Sequence, residues 1–277
     1  MTDRNLMGRV NLVVALACEA RPLIRHFGLK QEMARGGMRI YSDGQGLMLL
    51  VSGVGKPAMG SACGYLAGLQ QQQPSWQAAW LNVGIAGHGC RDLGEGVRVN
   101  RVTDMASGRV SYPPLVVSAG CPTSALVTVD QPQLSYDEDV AYDMEGSIFF
   151  AAVNRFVTAE LVQLFKVISD NRESPVAEVT EKRIVGWIEG QLEIIDRLVE
   201  NLAELSAEYN GLYTLPGEFF ELAALVRLTA SQRVQFESSY RRYHALGGDD
   251  LREMLKLTSI RDGKELLEKM QGLISLL

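Results

Sequence analysis

Long apolar runs are missing from this sequence of 277 residues. No stretch approaches the roughly 18 consecutive apolar residues that cross a bilayer as a helix, so no membrane-spanning helix is expected. Cysteine is scarce. Cys18, Cys63, Cys90 and Cys121 are scattered, with no CxxC and no regular spacing. That pattern suits a reduced cytosolic compartment, with each thiol packed as a small apolar group. Only three histidines occur, His26, His88 and His244. They show no HxxxH or HxH spacing, so no metal site is expected. An excess of positive charge is also lacking: the net charge is −6 and the pI about 5.3, which removes any general attraction to nucleic acid or anionic membrane. The opening MTDRNLMGRV has no apolar core of the signal-peptide kind, and a cytoplasmic protein is expected. Internal repeats are absent, and the one low-complexity stretch is the glutamine run at 70–73, followed by an expected surface turn at Pro74-Ser75.

What is present is ample material for a core. Apolar residues make up 47% and charged residues 22%, enough for one large domain or a domain with a smaller extension. VNLVVALA (10–17) reads as a strand buried on both faces, followed by a short helix stopped at Gly28. MRIYSDGQGLMLLVSG (38–53) reads as a hairpin around Asp43-Gly44, and KPAMGSACGYLAGL (56–69) as a helix of small residues. Further strands are expected over 78–87, 96–105, 125–131 and 161–170, with a helix over 144–156. This alternation argues for an α/β layered structure with a mostly parallel or mixed sheet. From about residue 178 the pattern becomes helical. One amphipathic helix is expected over 181–209, and further helices over 217–228, 230–245 and 249–277, the last interrupted near Asp262-Gly263.

Three carboxylates fall at strand carboxyl ends, where open α/β sheets bind ligands. Glu19 follows the first strand, Glu145 follows a short strand at Val140–Tyr142, and Asp170 follows LFKVIS. Each has an ordinary alternative as a helix N-cap or first-turn residue, favoured by the helix dipole. Together they suggest one cleft. The glycine-bearing turns SGVGK (52–56) and GIAGHG (84–89) end two other strands and would let a ligand approach the backbone closely.

ALACEA with Glu19, SGVGK, NVGIAG, DMEG and VISD occur in the order seen in the purine nucleoside phosphorylase superfamily. Over residues 9–205 the chain most resembles its methylthioadenosine/S-adenosylhomocysteine nucleosidase branch. The resemblance implies a three-layer, nucleoside-phosphorylase-like mixed sheet flanked by helices in residues 1–209, with an all-helical C-terminal extension in 210–277. It implies hydrolysis of a purine N-glycosidic bond in a 5′-modified adenosine. Asp170 would protonate the leaving base at N7 as general acid, and Glu19 would activate water as general base. Glu145, with the backbone of Met144, would hold the ribose hydroxyls, while Ala86 and Gly87 would line the sugar. It further implies a small-molecule nucleoside partner, a homodimer, and neither metal nor organic cofactor.

The sequence also departs from the family pattern. Ile85 stands where phosphorolytic relatives carry a hydroxyl, which favours water over phosphate, although Arg21, Lys56 or Arg109 could supply charge. Lys166 replaces the arginine usual before ISD. The base-stacking aromatic is not evident; Phe149, Phe150 and Tyr136 are candidates, each with an ordinary reading as a core or surface residue. His88 reads either as a contact to the 5′ substituent or as a solvent-facing loop residue. Asp143 reads as solvated, and Cys18 as a packed free thiol. SSYRRYHAL (238–246) interleaves aromatic and basic residues, but the acidic neighbours Glu237, Asp249 and Asp250 argue against a nucleic-acid surface. The extension's apolar stripes are expected to cover the cleft or form a subunit interface. A phosphate-dependent phosphorylase and a nucleoside-binding module without catalysis remain the rival readings.

Overall fold

Val10–Val14 is buried at every position, and this strand, β1, sets the middle of a mixed sheet. The computed structural model describes residues 8–32, 38–70, 77–256 and 260–277. All of the expected 70–75 stretch except Gln70, including the Pro74-Ser75 turn, lies outside the described residues. Helix α1 (Ala17–Phe27) follows β1 and ends at Gly28, whose φ of +64° is the left-handed value that glycine adopts without strain. Strands β2 (Lys30–Gln31), β3 (Arg39–Ser42) and β4 (Leu47–Val51) come next. The β3–β4 hairpin turns through Gly44 at φ +74°, and the Asp43 carboxylate accepts the Gln45 and Leu47 N–H groups. β4 pairs with β1 in parallel, and helix α2 (Lys56–Gln70) follows it.

Strand β5 (Ala79–His88) organises the rest. One of its edges pairs in parallel with β10 (Val162–Asp170). Its other edge forks: Ala79–Asn82 pairs with β1, whereas Gly87–His88 pairs antiparallel with β9 (Ala141–Asp143). Strand β6 (Gly96–Asp104), to which the short β7 (Val110–Ser111) is added, pairs with β10 and with β8 (Thr123–Thr128). β8 in turn pairs with β9. The strands β5, β10, β6, β8 and β9 thus close into a ring, and β1, β4, β3 and β2 extend from it as an open sheet.

Alternation along β1 sends Leu12 and Val14 to one face and Val13 to the other. The first face packs against α1, α4 (Glu181–Gly190) and α5 (Leu192–Tyr213) through Leu23, Ile184, Ile188, Ile195 and Leu198. The second packs against α2 and α3 (Gly146–Val153) through Met59, Cys63 and Phe149. These are the expected three layers. The single helix expected over 181–209 is broken at Gln191, whose side chain turns inward to donate to the Gly94 carbonyl at 2.7 Å. The apolar stripe keeps its phase across the break, so periodicity alone does not reveal it. α5 also runs past Gly211, because Asn210 is buried and bonds both the backbone of Gln77 and the Ser206 carbonyl.

The chain divides into two compact units, residues 1–212 and 213–277. The second contains α6 (Gly217–Ala223), α7 (Ala230–Ala245), α8 (Leu251–Lys256) and α9 (Gly263–Ile274). Its apolar stripes bury against one another, with Phe219 stacked on Phe236 at 5.2 Å and Leu266 and Met270 in the same core. Tyr240 and Tyr243 belong to this core and Arg241 pairs with Glu237, so the interleaved aromatics are not displayed for base stacking.

α7 begins with a reciprocal cap: the Gln232 N–H donates to Thr229 Oγ1, and the Thr229 N–H donates to Gln232 Oε1. Thr229→Ala is expected to cost about 1 kcal/mol, read as a lower urea midpoint.

Candidate active site

The fork in β5 leaves backbone groups between its two partners without strand bonds, and a carboxylate fills that need. Glu19 lies in the first turn of α1. Its Oε1 accepts the Ile85 N–H at 2.9 Å, and its Oε2 accepts the N–H groups of Ala15 and Leu16 at 3.0 and 2.8 Å. The helix-start reading therefore holds for this residue, and the same carboxylate borders a cleft. A Cβ on Gly84 would stand 3.2 Å from Glu19 Oε1, so glycine there keeps room for the carboxylate.

The junction between β9 and α3 holds two more acids. Glu145 occupies the N-cap position of α3 without capping it; its Oε1 instead accepts the Gly55 N–H at 2.6 Å, across from the SGVGK turn. Gly55 has a φ of +91°, which only glycine adopts readily. Capping falls to Asp143, which accepts the Gly146 N–H at 2.8 Å and the Thr128 hydroxyl at 2.7 Å. Asp143 is thus not solvated. It is buried and paired with Lys166 at 2.8 Å, the two side chains being 1% and 2% exposed. Lys166 also donates to Asn82 Oδ1 at 2.7 Å, and Asn82 donates to the Val13 carbonyl. A buried carboxylate needs such a partner, since desolvation otherwise costs several kcal/mol.

Burial pushes the Glu19 carboxyl above its ordinary pKa, opposed by its backbone donors and by Lys166. Burial also raises Glu145, the charge of Asp143 adds to the effect, and the Gly55 N–H and Lys166 oppose it. A raised folded pKa means that the fold holds the proton more tightly than the unfolded chain does. The resulting stability is fully present below the unfolded value of 4.5 and is lost as pH rises through the folded value. Glu145→Gln, which carries no charge to desolvate, is expected to gain unfolding free energy relative to the parent protein as pH rises from 4.5. Paired urea titrations over that range would show the trend.

Asp170 ends β10 opposite Gly87, just after a bulge at Ile168. Its carboxylate accepts the hydroxyls of Ser169 and Tyr136. A Cβ on Gly87 would come within 2.6 Å of both Asp170 Oδ2 and the Tyr136 hydroxyl oxygen, so this approach requires glycine. Burial, and then the Asp170 charge, push the Tyr136 phenol far above its ordinary value, which keeps it a donor. Of the three aromatic candidates, Phe149 and Phe150 pack in the core and Tyr136 alone reaches the cleft. Its segment, QLSYDEDV, carries no periodicity that could have placed it.

Glu19, Ala86, Gly87, Met144, Glu145 and Asp170 all line one cleft, whose cavity volume is about 150 Å³. Leu16, Val54, Val129, Tyr136, Tyr142 and Ser169 complete much of its wall. Four carboxylates, Glu19, Asp143, Glu145 and Asp170, border the cleft, and among the described residues its lining has no lysine or arginine. Arg21 pairs with Glu181 instead, Lys56 pairs with Asp104 and Asp130, and Arg109 is exposed elsewhere.

His88 matches neither of its expected readings: it is buried at the end of β5, outside this cleft and beside Cys90 and Asp139. Cys18 is packed in the core, where burial raises its thiol pKa, and burial pushes Cys63 up to about 12. Cys90 departs from the packed-thiol expectation because it is exposed, and Cys121 is only partly covered.

No family model and no curated protein matches this chain. Solved structures do. The apo 5′-methylthioadenosine nucleosidase of Arabidopsis thaliana is 17% identical with a TM-score of 0.54, covering 75% of this chain and 97% of its own. The 5′-methylthioadenosine/S-adenosylhomocysteine nucleosidase of S. pneumoniae, bound to a transition-state inhibitor, is 18% identical with a TM-score of 0.52, covering 70% and 99%. A futalosine hydrolase mutant of Helicobacter pylori is 14% identical with a TM-score of 0.53, covering 68% and 99%. At these identities the likeness is one of fold: the mixed sheet with flanking helices is that of the nucleosidases, and the chain adds helices at its C-terminus.

Proposed function

We propose that this chain hydrolyses the N-glycosidic bond of a purine nucleoside modified at the 5′ position. The observation that carries the proposal is the convergence of Glu19, Glu145 and Asp170 on one cleft whose lining, among the described residues, holds carboxylates and no cationic side chain. Such a lining repels a phosphate dianion but favours the positive charge that develops on a sugar as its bond to the base breaks. Water is therefore the nucleophile in this reading. Glu19, with its proton affinity raised by burial, takes the proton from water as the water attacks the anomeric carbon. Glu145, oriented by the Gly55 N–H, accepts hydrogen bonds from the ribose hydroxyls and stabilises the cationic sugar. Asp170 enters the step protonated and gives its proton to the departing purine, so that the electron pair of the broken bond leaves on a neutral base and the carboxylate remains, accepting the Ser169 and Tyr136 hydroxyls. The resemblance in fold to enzymes named for methylthioadenosine, S-adenosylhomocysteine and futalosine supplies the substrate panel.

The test incubates the purified full chain with each of these three compounds, with and without inorganic phosphate, and follows the free purine base. Release of base at a rate indifferent to phosphate is the expected result. Release that requires phosphate and yields a sugar phosphate would make the chain a phosphorylase, and no release from any of the three would remove the proposal.

A further inference from the structure

The residues set aside by this reaction form a second constellation. His88 ends β5, Cys90 lies two residues beyond, and Asp139 reaches them from the segment that precedes β9. One potential ligand atom from each residue lies within 4.8 Å of the other two. Cys90 Sγ is 3.1 Å from Asp139 Oδ1 and 3.9 Å from His88 Nδ1. In a tetrahedral zinc site with bonds of ~2.0–2.3 Å, neighbouring ligand atoms stand about 3.3–3.7 Å apart. The two distances from Cys90 Sγ lie on either side of that range.

We infer that His88 Nδ1, Cys90 Sγ and the Asp139 carboxylate form a Zn²⁺ site with one coordination position left open. Nitrogen, sulfur and oxygen donors together suit a borderline-soft divalent ion. The thiolate and the carboxylate cancel the two charges of the metal, and the Cys90 proton leaves to solvent on binding. The ring orientation is already set. Nδ1 accepts the Cys90 N–H at 3.3 Å, a bond that the ion would displace, and Nε2, which then carries the ring proton, lies 3.4 Å from the Ser124 hydroxyl as an outer partner. Asp139 Oδ1 stands 3.5 Å from Nε2 as well; its exposed side chain would have to turn from Nε2 to share an ion with Nδ1 and the thiolate. His88 and Asp139 border a cleft with Arg91, Asn100, Arg101 and Ser124, from which water would complete the coordination.

The site would also act at a distance, because the segment that carries Asp139 carries Tyr136. A Cβ on Gly89 would meet the Glu138 carbonyl oxygen at 2.9 Å, so the two chain segments are already in close contact. A bound ion would pin that segment to the end of β5 and hold the Tyr136 hydroxyl against Asp170. The inference does not depend on the reaction proposed above.

Co²⁺ is the probe. Titrated into the reduced full chain, it should give a sulfur-to-cobalt charge-transfer band that saturates at one equivalent and is bleached by one equivalent of Zn²⁺. Cys90 and Asp139 are exposed, so substituting them leaves the core untouched. Cys90→Ser is expected to abolish the band, Asp139→Asn to weaken cobalt binding at least about tenfold, and Cys121→Ser to leave it unchanged. Absence of the band at millimolar cobalt, its survival in Cys90→Ser, undiminished affinity in Asp139→Asn, or its loss in Cys121→Ser would each overturn the assignment.

Discussion

Asp170→Asn is expected to lower turnover in the proposed nucleoside hydrolysis by ~10²–10⁴-fold, the range associated with loss of a positioned general acid. The substitution is nearly isosteric. The oxygen of the introduced amide can still accept one of the two hydroxyls that now meet the carboxylate, and Tyr136 can rotate its hydroxyl to accept from the amide nitrogen, so the fold should persist. What is lost is a proton that can be handed to the departing base. The defect should therefore appear in kcat rather than in KM. It should also shrink for a substrate whose base already departs without protonation. Steady-state kinetics on both kinds of substrate, with circular dichroism as a check on folding, would measure this. A kcat within twofold of the parent would mean that Asp170 is not the acid.

Lys166→Met should produce the largest loss of stability, about 3–5 kcal/mol, because it removes one partner of a buried ion pair and strands the other. That is a large share of the 5–15 kcal/mol typical of a domain. Asp143 would retain its hydroxyl and N–H donors but no countercharge, and Asn82 would lose its donor from Nζ. Lys166 also draws down the proton affinities of Glu19 and Glu145, so both acids should protonate more readily in the variant. Urea unfolding at neutral pH gives the first quantity. A double-mutant cycle with Asp143→Asn isolates the pair; additive losses in that cycle would show that the two charges do not act together.

The placement of Glu19 and Asp170 could be read from sequence because each ends or follows a stretch whose pattern is plain, whereas Glu145 follows a strand of only three residues. Mostly apolar residues at 10–14 and 162–168 announce strands buried on both faces, and Asp43-Gly44 announces a hairpin. Lys166 could not be read in the same way. A lysine inside an apolar strand gives no sign of its partner, and Asp143 lies 23 residues away. The ring closure is equally hidden, since it depends on β5 pairing with both β10 and β9, strands that local pattern treats as independent. Tyr136 and Asp139 sit in a segment of turns where neither period applies, so their contacts follow from the packing of Gly87 and Gly89 rather than from spacing. The glycine neighbours of His88 suggest a loop, yet β5 extends through it.

The ring of strands also carries a consequence for biosynthesis. β10 joins β5 to β6, and of the ring's strands it is the last made. A nascent chain arrested before residue 162 can lay down β1 to β9 but cannot close the ring, and it has yet to produce either Lys166 or Asp170. The acids at positions 19, 143 and 145 would then await their countercharge in an unfinished barrel. Pairings of such long sequence separation form slowly, so the cleft should mature late, after ribosomal release of the segment that completes it.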